Sequence, residues 1–182
     1  MYPDLPEYSE KGFNVGGFFL NEQAWITDRY SFLSRQNTFG LYSYPAGDSI
    51  VIYWNGNYKD SVLRSNETQQ LFIVLKNIKI EQDEDLYKLS GRTILLDGIT
   101  NYGGFTQGYY SSEKIGHGTG KLSFGNVGII KNVKYGPDSA SYYAFIVPGR
   151  LEMNMYTNKN YTITLGRFDM KMLRNDNIVV VL

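Results

Sequence analysis

His117 is the only histidine in the 182-residue chain, and cysteine is absent. Thiolate sites and disulfides need cysteine, and paired-imidazole metal sites need a second histidine, so both are excluded at the outset. A Ser-His-Asp relay would have to use His117, in GHGTGK (116–121), with Ser111, Ser112 and Glu113 nearby in sequence. No nucleophile-elbow pattern accompanies them. The same hexapeptide brushes against a phosphate loop but lacks the G-x-x-x-x-G-K-[ST] spacing, with Leu122 where a hydroxyl residue belongs. It reads as a glycine-rich hairpin connection holding a loop histidine without a catalytic role. Glu81, Asp83, Glu84 and Asp85 could gather a hard cation, but they lack the spacing of a calcium loop. They read as a solvated acidic turn at a strand end. No metal site, cofactor or catalytic residue is expected from these patterns. The 18 acidic residues leave room for the carboxylate pair of a glycoside hydrolase without singling out two of them.

The stretch NYGGFTQGYYSSEKIGHGTG (101–120) carries the clearest sign of binding. Tyr102, Phe105, Tyr109 and Tyr110 stand among six glycines. Aromatic faces stack on the C–H surfaces of sugars, and a tyrosine adds a hydroxyl at little entropic cost. Long loops often carry function. The expectation is an exposed aromatic platform with Tyr102, Tyr109 and Tyr110 as ligand contacts. Tyr109 and Tyr110 are adjacent, so both cannot face the core of an extended segment.

The elements that would position such a site are strands. FNVGGFFLNEQAWI suggests a hairpin with arms Val15 to Leu20 and Ala24 to Ile26, turning at Asn21-Glu22, where Glu22 would be the strained member. Residues 37–44, 49–56, 71–80, 85–96, 121–124, 127–135, 141–147, 150–156, 161–172 and 177–182 carry strand patterns. No segment offers a long amphipathic helix; 30–35 and 60–65 could each form one turn. In YTITLGRFDMKM (161–172) the apolar phase slips. Tyr161, Ile163 and Leu165 are odd, whereas Phe168, Met170 and Met172 are even. One extra residue restores the register, which makes Gly166 the expected β-bulge.

Strand patterns separated by short turns predict an all-β, single-domain antiparallel β-sandwich, with an open β-barrel as the alternative and few or no helices. Equal numbers of basic and acidic residues, 18 each, and no basic stripe argue against nucleic acid. Residues 1–12, with two prolines and no periodicity, read as a flexible leader or tether, and 13–182 as the β domain.

Leu5-Pro6, Gly12, Asn14, Gly17, Asn21 and Trp25 at the front, and Ile163-Thr164-Leu165-Gly166-Arg167-Phe168-Asp169 near the end, resemble small Bacteroides-type exported lipoproteins of unknown function. Val15-Gly16 and Glu22 depart from the front pattern. The resemblance implies a chain exported to the periplasm or outer-membrane surface, lipid-anchored through a cysteine since removed, with the membrane met only through that lipid. It supplies no catalytic residues. Asp48-Ser49-Ile50, Asp60-Ser61-Val62 and Asp138-Ser139-Ala140 resemble O-glycan acceptor triplets of such bacteria. The functional expectation is a non-enzymatic lipoprotein domain binding a glycan or a protein. The alternatives are a carboxylate-pair hydrolase, or a structural or adhesive subunit adding the NIVVVL strand (177–182) to a neighbour. Oligomeric state is left open.

Overall fold

The structure is a computed structural model, and it describes residues 4–27, 38–59, 69–106, 114–133, 142–156, 160–173 and 178–180. The 30–35 and 60–65 segments, Tyr109, Tyr110, Ser61 and Ser139 lie outside the described residues.

The all-β antiparallel expectation holds. β1 (Val15–Leu20) and β2 (Gln23–Thr27) form the hairpin, and its two turn residues both take left-handed backbone, φ 46° at Asn21 and 71° at Glu22. The strands that follow are β3 (Phe39–Tyr44), β4 (Ser49–Tyr58), β5 (Gln69–Lys76), β6 (Thr93–Asp97), β7 (Tyr102–Thr106), β8 (Lys114–Phe124), β9 (Gly128–Val133), β10 (Tyr142–Tyr156), β11 (Asn160–Leu173) and β12 (Ile178–Val180). Hydrogen-bonded neighbours run β4-β2-β1-β11-β10-β8-β7-β5 and return from β5 to β4, a closed ring in a sandwich-like fold. β3 extends from β4, and β12 adds to β3 in parallel, so the strand proposed as a donor already pairs within its own chain.

The ring closes because long strands change partners midway. β8 pairs β7 with its first half and β6 with its second. β6 and β7 therefore act as one strand along β8, interrupted by an excursion at 98–101. β10 pairs β8 over 149–154 and β9 over 142–146. Pro148 stands at that changeover, where its missing N–H leaves no gap in a ladder, and its carbonyl accepts Gly125 N–H at 2.8 Å. Sequence patterns split this strand in two at Pro148-Gly149; the structure runs it straight through.

The alternation of β4 sets inside and outside: Ile50, Ile52 and Trp54 are buried in the core, and Val51 and Tyr53 face out. The core is built on stacked Phe18 and Trp25 (4.5 Å) and on Trp54 against Phe168 (4.9 Å). Leu86 and Leu89, on a 3-10 segment at Asp83–Leu89, close the end of the sandwich where β5 has ended. Residues 85–89 are therefore not strand, as their apolar spacing had suggested. The acidic run instead caps this segment, Asp85 Oδ2 accepting the N–H groups of Glu81 (2.8 Å) and Gln82 (3.2 Å). The other helical segment among the described residues is a 3-10 turn at Pro45–Gly47. Ser49, one of the triplet serines, is buried at the start of β4.

The phase slip in β11 is taken up next to Gly166. Leu151 pairs with Gly166 and Met153 with Ile163, so Thr164 and Leu165 together oppose Glu152. The left-handed residue of the bulge is Leu165 (φ 53°), not the glycine. Glycine is needed at 166 for a different reason: a Cβ there would run into the Leu151 carbonyl oxygen. Ile163, Phe168, Met170 and Met172 all reach the core.

Residues 4–12 do not behave as a loose tether. Leu5 is buried, and Pro6 lies against Gly17. The buried Asp169 carboxylate accepts hydrogen bonds from Ser9 Oγ and from the backbone N–H groups of Lys11 (3.2 Å), Gly12 (2.9 Å) and Phe13 (3.0 Å). The segment lacks an apolar periodicity because it packs as a strap, by single side chains and by a carboxylate from the far end of the chain, rather than as a strand.

Candidate functional site

The expected aromatic loop is mostly sheet. Tyr102 opens β7, and GHGTGK lies inside β8, so His117 is a strand residue and not part of a turn. Glycine pattern suggested a loop, but here Gly103 and Gly118 serve packing: a Cβ on either would collide with the side chain of Met153.

On the outer face of β3, β4, β5, β7 and β8 a stripe of rings crosses the sheet. Gly40, Tyr53, Phe72 and Gly104 form one cross-strand row, and Tyr42, Val51, Val74 and Tyr102 the next. Glycine at both ends of the first row leaves room for the diagonal neighbours. Tyr42 meets Tyr53 at 5.2 Å and 90°, and Tyr102 meets Phe72 at 6.4 Å and 88°. His117 then stacks on Tyr102 at 4.3 Å and 13°. Phe72 is only 3% exposed and acts as the buried support of the stripe. Tyr42 and His117 are exposed; Tyr102 and Tyr53 are half-buried. Tyr102 is not an open platform, because Phe72 and His117 flank its ring. What the pair offers is the exposed imidazole and the half-buried phenol.

Burial, with the neighbouring Tyr44 and Tyr42 adding to it, pushes the Tyr53 phenol up to about 12. Its hydroxyl therefore stays protonated at neutral pH, able both to donate and to accept. Beside the rings, Gln70 Nε2 donates to Asn55 Oδ1 at 2.9 Å.

The excursion between β6 and β7 holds the His117 end. Asp97 Oδ1 accepts the N–H groups of Ile99 (2.8 Å), Thr100 (2.7 Å) and Asn101 (3.0 Å), and these backbone bonds hold its carboxyl below the usual carboxylate range. Asn101 ties the excursion to both sides, its Oδ1 accepting Lys76 N–H at 2.9 Å and its Nδ2 donating to the Leu95 carbonyl at 3.3 Å. His117 Nδ1 lies 3.1 Å from the Gly98 carbonyl. A carbonyl can only accept, so Nδ1 carries the proton and Nε2 is the acceptor of the neutral ring.

Tyr102 is thus the one expected contact that the structure describes. Tyr42, Tyr53 and Phe72 are not singled out by the sequence, and His117 stands out there only as a lone histidine, not as a ligand contact. The signal available was the outer phase of β3 and β4, in which Tyr42, Tyr44 and Tyr53 alternate with the core residues. Among the described residues no three His, Cys, Asp or Glu side chains converge as a metal-ligand group, and no helix is long and apolar enough to cross a membrane. No protein-family model, no curated protein and no solved structure matches the chain.

Proposed function

We propose that this chain is the non-enzymatic binding domain of an exported, lipid-anchored surface protein, and that its outer aromatic stripe takes a glycan. The observation that carries this reading is the stripe itself: five rings across five strands, three of them phenols, on a face of the sheet that the core does not use. Rings supply apolar faces and edges for sugar C–H groups, and the Tyr42, Tyr53 and Tyr102 hydroxyls supply hydrogen-bonding partners for sugar hydroxyls. The pinned excursion at 97–101 makes the His117 end rigid, which lowers the ordering cost of binding. The lipid anchor and the surface location rest on the resemblance of the chain's two ends to such lipoproteins.

A glycan-array screen of the soluble protein tests the reading, followed by Tyr42→Ala and His117→Ala. Both residues are exposed, so binding should weaken at least about tenfold, which corresponds to about 1.4 kcal/mol, with the melting temperature lowered by no more than about five degrees. Binding to no glycan, or binding indifferent to both substitutions, would count against it.

A further inference from the structure

Arg167 holds an unspent binding edge. It sits on the outer face of β11, directly opposite Gly17 of β1 and Arg150 of β10. The strap touches both of those neighbours. Pro6 Cδ lies 3.0 Å from where a Gly17 Cβ would be, and the Arg150 guanidinium lies 4.8 Å from the centre of the Tyr8 ring. The strap therefore passes over Arg167. Beneath it, Arg167 Nε and Nη2 are buried and neither has a hydrogen-bond partner. These two atoms form one edge of the guanidinium, the fork that meets both oxygens of a single carboxylate.

Arginine does not lose its proton inside a protein, so a buried edge without an acceptor is a demand for an anion. Among the described residues, the acids of the strap and of β11 do not answer it. Asp169, two residues along the same face, is spent on Ser9, Lys11, Gly12 and Phe13. Glu10 accepts the Tyr8 hydroxyl at 2.7 Å. Glu7 is exposed.

We propose that the Nε–Nη2 edge of Arg167 is a binding site for one carboxylate, held bidentately beneath the strap, with Arg150 as a second positive charge alongside. Residues 6–8 belong to no ladder, so this part of the strap can lift to admit the ligand while Asp169 keeps its anchor downstream. The site lies on β1, β10 and β11, apart from the aromatic stripe, and stands whether or not that stripe binds a glycan. The carboxylate could be a free small acid or the uronate group of an acidic sugar.

The test is a titration of 15N-labelled protein with sodium acetate, sodium glucuronate and inorganic phosphate at constant ionic strength, following the arginine Nε–H resonances. One resonance, identified by its loss in Arg167→Lys, should move saturably with acetate and glucuronate. Tighter binding of glucuronate than of acetate assigns the site to an acidic sugar, and equal binding assigns it to free carboxylates. A response to phosphate alone overturns the carboxylate assignment. No saturable shift with any of the three overturns the site, as does an undiminished thermal stabilisation by acetate in Arg167→Lys. Should that variant fail to fold, Tyr8→Ala removes part of the cover but not the edge. Carboxylate binding should then be at least about threefold faster, and an unchanged rate overturns the covered edge.

Discussion

At the residue scale, the bulge in β11 divides two tasks between neighbours. Leu165 takes the left-handed backbone, and Gly166 takes the close approach to Leu151. A non-glycine residue in the left-handed region costs about 1–2 kcal/mol, and asparagine tolerates it best. Leu165 is 42% exposed, so little burial is lost on replacing it. Leu165→Asn should therefore raise stability by up to about 1 kcal/mol. Gly166→Ala should lower it by about 2–3 kcal/mol, because the added carbon meets a backbone carbonyl that the β10 ladder holds in place. Urea unfolding midpoints of the two variants check both signs, and a stable Gly166→Ala would contradict the close approach. The same reasoning applies at the β1–β2 turn, where an asparagine followed by a glycine would suit two left-handed residues better than Asn21-Glu22 does. Glu22→Gly should be stabilising by about 0.5–1 kcal/mol in the same assay.

At the element scale, the strap and the 3-10 segment make separate predictions. Removing residues 1–12 deletes the packing of Leu5 and Pro6 and three of the four donors to the Asp169 carboxylate. Hydrogen bonds to a charged group contribute about 1.5–3 kcal/mol each, so the melting temperature of the shortened protein should fall by about ten degrees or more. A fall of only about one or two degrees would restore the tether. The 3-10 segment makes a pH prediction. Burial acts to raise the Asp85 carboxyl, but the N–H groups of Glu81 and Gln82 and the Lys88 ammonium outweigh it, and the net direction is down. A carboxyl lowered in the folded state contributes stability above its unfolded pKa and loses it as pH falls through the folded one. Thermal melts from about pH 6 to about pH 2 should show that acid-side loss in the native chain. Asp85→Asn should be less stable at the upper end of that range and should show a smaller loss on acidification.

At the scale of the whole molecule, the ring needs pairings between parts of the sequence that lie well apart: β1 with β11 above all, and β2 with β4. Such pairings require loop closure before any contact stabilises the chain, so folding should take milliseconds to seconds rather than microseconds. Stopped-flow refolding monitored by Trp25 and Trp54 fluorescence measures it. The aromatic stripe depends on the same closure, since its rings come from five strands. Its members should separate cleanly. Phe72→Ala removes a buried support and should cost about 3–5 kcal/mol of stability. Tyr42→Ala and His117→Ala each give up one ring contact at the surface and should cost about 0.5–1.5 kcal/mol.

The class of fold, most strand positions, the β1–β2 turn and the place of the bulge to within a residue are legible in the order of amino acids. Each of these follows from local rules: alternation with period two, glycine and asparagine at turns, and a slip in apolar phase that only an inserted residue can absorb. What it could not determine were the features set by residues far apart. GHGTGK looked like a loop because glycines mark turns, yet Gly118 is small so that Met153 can pass. The strap looked loose because its anchor, Asp169, lies at the other end of the chain. Tyr102 was picked out for its local company, whereas its real neighbours, Phe72 and His117, arrive from other strands. Only tertiary structure brings Tyr42, Tyr53, Phe72, Tyr102 and His117 into one stripe and leaves the edge of Arg167 unpaired, because cross-strand proximity depends on register and closure rather than on spacing along the chain.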